Sequence, residues 1–465
     1  MNVATPIAAG LLGFALATAP AYSAESADTA QLGTTLDPVF QDFMRENHIP
    51  GLVFGVVSGG KLVYTRAFGV QDTQTKTPVD ADSVFRIASM SKQFAALATL
   101  KLRDAGKLQL DARAERYIPE LANFRYPTSD SPKIRVRDLL SHGAGLVTDD
   151  PWGDRQTPLP EHEFSRLLKE GVPFTRPPGM AMEYSNLGFA LLGRIVTNVS
   201  GQPYADTITK LLLQPLGMQS SGFVVDAAPA ERRALGYRWE DDAWRLEPTM
   251  AHGAFGAMGG IQTSANDYAK WVSYLLSAWP PRDDTDARPV KRATVRELSQ
   301  GSNFPRLRAR PGHSGATACR QAATYGMGMW VAVDCDLGFT LSHSGGYPGY
   351  GSHVMLMPDR GLAVFALANR TYAGPSGAVW DAALALHEAG FRKSREPAVS
   401  EDLANAYRAV GAIYQRGDVA AAGDALAMNF LMDKDAGLWS RNLADLKKKV
   451  GECDTSAAVK PAGAR

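Results

Sequence analysis

Cysteine is scarce in this chain. There are three in 465 residues, Cys319, Cys335 and Cys453. No two of them have CxxC spacing, so zinc-thiolate and thioredoxin-type readings have nothing to build on. Cys319 and Cys335 are candidates for one disulfide in an oxidising compartment, a pairing that geometry decides. An excess of either charge is missing too. Lys and Arg total 49, Asp and Glu 48, and the net charge is +1. No bulk field steers such a chain to nucleic acid or to an anionic membrane. The run at Lys447, Lys448 and Lys449 reads as a solvated helix face. Internal repeats and long low-complexity segments are absent.

Long apolar runs are absent after the first two dozen residues, so no membrane span is expected in the mature chain. The opening stretch, "MNVATPIAAGLLGFALATAPAYSAESA", is apolar, then small, then polar. Ala19-Pro20-Ala21 or Ala21-Tyr22-Ser23 supplies a small-x-small cleavage site. Residues 1–24 therefore read as a secretory signal, and a periplasmic or secreted location follows. Lys and Arg are missing before the apolar run. The alternative is an uncleaved anchor, for which the run is short.

What is present is ordinary globular composition, 45% hydrophobic and 21% charged. The length predicts two to four structural units. "GLVFGVVSGGKLVYTRAFG", Gly51 to Gly69, is two β-rich runs joined at Ser58-Gly59-Gly60, a hairpin signal. A helix follows and stops at Gly106. From there to about residue 320 the chain reads as mostly helix and loop, with frequent Pro and Gly. Strands return late, in "YGMGMWVAV", "GFTLSHSGG", "SHVMLMPD" and "GLAVFALAN", before the helix "SGAVWDAALALHEAG". Early and late strands with helices between predict an α+β fold. An α/β sandwich lobe would draw its antiparallel sheet from both ends of the domain, residues 25–392, and a mostly helical lobe would be inserted. The cleft between two such lobes is a natural place for a small-molecule site. Beyond "KSREPAVS", residues 393–465 read as a small helical appendage with a disordered tail.

The helix after the hairpin opens "FRIASMSKQF". Ser89 and Lys92 lie three apart, hence on one helix face. The rest, Phe94 to Leu102, is apolar on several sides, the pattern of a buried helix. A lysine at such a place loses water, which lowers its pKa and makes the neutral amine accessible as a base. A serine beside it is a candidate nucleophile, and its own N–H at a helix start can serve an oxyanion. Ser-x-x-Lys also occurs at Ser58 and Lys61, but on the hairpin turn, where nothing holds the two side chains together.

Two further motifs give context. Tyr184-Ser185-Asn186 lies in a loop entering an apolar helix, with Pro177, Pro178 and Gly179 shaping the approach. A tyrosine near an ammonium can exchange protons, and an asparagine amide can hold a substrate carbonyl or the lysine. His343-Ser344-Gly345-Gly346 lies between two β-runs, at a strand end beside the expected cleft. A second His-Ser-Gly, at His313, falls in a Pro/Arg-rich loop read as strandless.

Ser-x-x-Lys, Tyr-x-Asn and His-x-Gly, in this order and widely spaced, resemble the penicillin-recognising serine hydrolases. More narrowly they resemble the class C β-lactamase-related group, with its D-Ala-D-Ala carboxypeptidases, D-aminopeptidases and esterases. The flanking text agrees over residues 35–392: "IRVRDLLSHGAGL", "PPGMAMEYSNLGFALLGRIV", "MGGIQTSANDYAKW" and "LSHSGGYPGYGSHVMLMPD". The resemblance implies an acyl-enzyme on Ser89, proton transfer by Lys92 and Tyr184, and an oxyanion hole from the N–H groups of Ser89 and Gly346. It implies substrate binding by Asn186, His343, Ser344 and Gly345, and no metal or organic cofactor. The partner is a small-molecule, ester or peptide substrate. The group's β-lactamases usually carry Lys-Thr-Gly at the third motif. A histidine there is charged only near or below its pKa, so peptide or ester hydrolysis ranks above efficient lactam turnover. The competing expectation is a catalytically weak penicillin-binding or sensor protein.

Overall fold

The computed structural model describes residues 29–148, 152–309, 320–391, 399–459 and 461. The expected signal at 1–24, Cys319 and His313 lie outside them. Cys335 is disulfide-bonded and Cys453 is a free, exposed thiol. Among the described residues no helix is long and apolar enough to cross a membrane.

The main sheet has eight strands. They are β1 (Gly51–Ser58), β2 (Lys61–Gly69), β3 (Arg306–Ala309), β4 (Arg320–Tyr325), β5 (Trp330–Asp334), β6 (Gly338–Tyr347), β7 (Tyr350–Met357) and β8 (Leu362–Ala368). Their order is β2-β1-β8-β7-β6-β5-β4-β3, and every pairing is antiparallel. The sheet is thus drawn from both ends of the domain, with Leu52 of β1 opposite Ala368 of β8. The β1–β2 turn is Gly59-Gly60, both at positive φ, as a two-residue turn of the primed type requires.

Five helices matter for the site: α1 (Thr29–Glu46), α2 (Lys92–Asp104), α3 (Asn186–Ser200), α4 (Ala265–Leu276) and α5 (Ser376–Glu388). Side chains of a strand alternate faces. Leu52, Phe54 and Val56 therefore join Val364 and Met355 against Leu36 and Phe40 of α1 and Trp380 of α5. Their neighbours Val53, Val57, Phe365 and Val354 face the helical lobe, with Phe94 of α2, Phe189 of α3 and Trp271 of α4. Each such side chain contributes about 1.5–3 kcal/mol on burial, so both faces are firmly held. Phe94 stacks on Trp271 at 3.8 Å, which fixes α2 against α4.

The stretch before residue 320 is not only helix and loop. β3 lies in it, and Tyr237–Glu240 pairs with Ala243–Leu246 in a separate hairpin. β3 reads "RLRA" and is mostly exposed. It is a short, charged edge strand, which protects a sheet edge, and its four residues are too few for a pattern to reveal it. Beyond residue 399 two helices, Glu401–Arg416 and Ala436–Val450, are linked by the Tyr414 hydroxyl, which donates to the Gly451 carbonyl at 2.6 Å.

Candidate active site

Ser89 sits in a 3₁₀ turn, Ala88–Ser91, that runs directly into α2, of which Lys92 is the first residue. Ala88 is held at φ +48°, a left-handed conformation that costs a non-glycine residue of order 1–3 kcal/mol. The turn is pinned from three sides. The Ile87 N–H donates to the Ile261 carbonyl at 3.0 Å, the Ser91 hydroxyl accepts from the Ile261 N–H at 3.1 Å, and Ser352 of β7 donates to the Ile87 carbonyl at 2.8 Å.

Lys92 is fully buried, as the apolar helix pattern predicts. Its ammonium donates to Ser89 Oγ at 3.0 Å, to Asn186 Oδ1 at 2.8 Å and to the Met258 carbonyl at 2.9 Å. Those three acceptors match the three protons of an ammonium. The ring of Tyr184 lies 5.0 Å from the same nitrogen and that of Phe189 5.4 Å, which adds cation–π attraction. Asn186 thus holds the lysine, one of the two roles open to it from sequence.

The Tyr-x-Asn loop is fastened by its own caps. Ser185 is the N-cap of α3 and accepts from the Gly188 N–H at 3.3 Å. The Ser185 N–H donates to Nδ1 of His142 at 3.1 Å. His142 is buried, and its ring lies 4.2 Å from that of Tyr184. Burial, then the charge of Lys92, holds its pKa well below the ordinary histidine value. It is a neutral wedge behind the tyrosine.

The third motif lies on β6 where that strand outruns its neighbour. Pairing with β5 ends at Ser342 opposite Trp330, whereas pairing with β7 continues to Tyr347. From His343 to Gly346 one edge of β6 therefore faces a cavity of about 370 Å³. Ser89, Tyr184, His343, Ser344 and Gly346 line it, with Asp154, Trp330 and Tyr372.

Gly345 is not among the lining residues. A Cβ there would lie 2.2 Å from Ser352 Oγ and 2.3 Å from the Ile87 carbonyl. Its hydrogen lets β6 close on the turn that carries Ser89, a structural role in place of the expected substrate contact. His343 lines the cavity without the charge its motif position suggested. It is 2% exposed, and both ring nitrogens are engaged. Nδ1 is 2.6 Å from the Ser344 carbonyl, which can only accept, so Nδ1 carries the proton. Nε2 then accepts from the Tyr325 hydroxyl at 2.9 Å. Burial first, then the Lys92 charge, pushes the His343 pKa down to about 3. Burial and Tyr184 hold the Tyr325 pKa well above its ordinary value, so it stays a donor.

Sequence reasoning gave no role to Asp154, His142, Trp330, Tyr372 or His353. His142 stood inside "SHGAGL" and Trp330 inside the predicted strand "YGMGMWVAV", but neither spacing signals a pocket. Asp154 is 4% exposed, and among the described residues the cavity lining contains a carboxylate and no Lys or Arg. Among the described residues one cluster, Asp334, Cys335 and Asp336, gathers three side chains of metal-ligating kinds, and its cysteine is spent in the disulfide.

The family profile described as Beta-lactamase matches residues 36–389. Esterase EstB of Burkholderia gladioli is 30% identical over 383 residues, which cover 76% of this chain and 95% of that protein. Among solved structures, the octameric penicillin-binding protein homologue from Pyrococcus abyssi aligns with a TM-score of 0.65 at 23% identity, covering 82% of each chain. A class C beta-lactamase aligns with a TM-score of 0.61 at 23% identity, covering 77% of this chain and 97% of its own. At those identities the two structures speak for the fold.

Proposed function

The chain belongs to the Beta-lactamase family, whose members around it are serine hydrolases, and from that premise we propose an esterase or amidase that forms an acyl-enzyme on Ser89. The observation that carries this reading is the contact between the Lys92 ammonium and the Ser89 hydroxyl at 3.0 Å, on the wall of a cavity. Ser89 Oγ attacks the acyl carbonyl, and its proton passes to the Lys92–Tyr184 pair. Three acceptors around the lysine nitrogen favour its ammonium form, and that charge favours Tyr184 as a phenolate, which takes the serine proton and becomes the neutral phenol. The N–H groups of Ser89 and Gly346 are the oxyanion donors. Tyr184 returns the proton to the departing alcohol or amine, and water then releases the acyl group from Ser89 by the reverse path.

Small esters and aminoacyl amides rank above β-lactams as substrates. A lactam carboxylate asks for a cation at the third motif, and His343 offers a neutral ring in a lining without Lys or Arg. The esterase relative supports the same order. Export, resting on residues 1–24, is part of the proposal. The test is treatment with a fluorophosphonate followed by mass spectrometry, alongside hydrolysis of p-nitrophenyl butyrate. The adduct is expected on the peptide carrying Ser89, and Ser89→Ala should abolish both labelling and turnover. Labelling at another serine, or full activity of that variant, overturns the assignment.

A further inference from the structure

The exposed hydroxyl of Ser344 at the cavity wall has a partner behind it. Ser344 stands opposite His353 on β7, and its Oγ lies 2.8 Å from His353 Nδ1. His353 is 3% exposed, and its Nε2 is buried without a hydrogen-bond partner. Two neutral tautomers are available. If Nδ1 accepts from the serine, the proton sits on Nε2 as a buried donor with no acceptor. If Nδ1 carries the proton, it donates to Ser344 Oγ and leaves Nε2 as an unmet acceptor. Orphaned buried N–H groups are rarer than unmet acceptors, which selects the second arrangement. Burial, then the charge of Arg308, pushes the His353 pKa down to about 3, so the ring stays neutral at physiological pH.

We propose that His353 is a positioning residue whose Nδ1–H holds Ser344 Oγ and turns the serine's hydroxyl proton into the cavity, toward an acceptor oxygen of the bound ester or amide. A hydroxyl has one proton. With its oxygen already accepting from His353, that proton is the group Ser344 presents to substrate. The third motif then recognises its substrate by an oriented neutral donor, with no charge involved. This rests on the hydrolase reading of the Ser89 cavity, and the tautomer itself does not.

Two measurements test it. Long-range proton–nitrogen correlation spectra of protein with isotope-labelled histidine report the tautomer of each ring. The His353 signal, assigned by its loss in His353→Asn or its displacement in Ser344→Ala, is expected in the Nδ1-protonated pattern. An Nε2-protonated His353 overturns the proposal, whether or not the protein hydrolyses esters. In kinetics with p-nitrophenyl butyrate, Ser344→Ala and His353→Phe should each lower kcat/KM by about tenfold, the scale of one hydrogen bond. The double variant should lose no more than either, and His353→Asn, whose amide can donate, should recover most of the loss. Independent, multiplying losses would mean that His353 only fills space. A wild-type protein that neither turns over ester nor labels at Ser89 defeats the proposed function and leaves the tautomer result standing.

Discussion

Tyr325 donates its phenol proton to Nε2 of His343 across 2.9 Å, and that bond closes the imidazole to any substrate anion. Protonating Nε2 would set two donors against each other in a buried space. The third motif therefore binds without a titrating charge. A carboxylate inhibitor such as benzoate should show an inhibition constant that changes less than about twofold between roughly pH 5 and 8. Weakening by about tenfold per unit above pH 6.5 would mean a charged His343 after all.

Lys92 satisfies Asn186 Oδ1 and the Met258 carbonyl as well as Ser89. Lys92→Met should cost roughly a hundredfold or more in ester turnover. Combined with Tyr184→Phe, the loss should fall far short of the product of the two single effects, because one proton-transfer unit can be broken only once. Steady-state kinetics of the four proteins measure this, and multiplying losses would assign the two residues to separate steps.

Burial keeps His142, His343 and His353 below the ordinary histidine range. In the unfolded chain they titrate near 6.5. Between about pH 6.5 and 3 the unfolded state thus binds more protons than the native one. Stability is full above that window and falls as pH drops through it, by up to about 1.4 kcal/mol per pH unit for each histidine. Urea midpoints taken at about pH 7.5, 6 and 5 should fall in that order, and His353→Asn should flatten the slope. Equal midpoints would show that the rings charge in the folded state.

Gly345→Ala puts a methyl 2.2 Å from Ser352 Oγ and 2.3 Å from the Ile87 carbonyl. Backbone there must move, so a loss of about 1–3 kcal/mol in stability is expected. The displaced turn carries the nucleophile, so turnover should drop by at least roughly tenfold. Thermal unfolding with ester kinetics on the same sample checks both. Unchanged kinetics in a destabilised protein would separate the glycine from the site.

Asp154 is the carboxylate of a lining without Lys or Arg. Asp154→Asn should tighten binding of benzoate by about three- to tenfold, the effect of removing one like charge near a protein surface. Binding of a neutral ester should change little. Inhibition constants for the two ligand types decide, and equal shifts would point to a change of shape.

That Ser89, Lys92 and Tyr184 belong together was legible because each motif is local. Ser89 and Lys92 are three residues apart, and Tyr184 and Asn186 flank one cap. The sheet was legible where strands are unbroken apolar runs bounded by turn residues, as in β1 and β8. It was illegible at β3, an exposed strand of alternating arginines whose partner alone defines it. The charge state of His343 was hidden for the same reason. It depends on Tyr325, at the end of β4, which reaches the ring from two strands away, across β5. His353 was invisible as well, since cross-strand register joins it to Ser344.

The pairing of Leu52 with Ala368 has a further consequence, for the order in which the molecule can assemble. The hairpin of β1 and β2 leaves the ribosome early, but its inner edge is covered only by β8, some three hundred residues later. Contacts so far apart in sequence carry a large loop-closure cost before they return any stability, and they slow folding. Until β8 arrives, Val53, Phe54 and Val57 have β2 alone beside them, and a lone two-stranded hairpin is marginally stable at best. A chain ending before Leu362 should therefore gain no protected amides in Gly51–Ser58 by hydrogen exchange. The Ser89 turn and the fold would mature together, once β8 is in place.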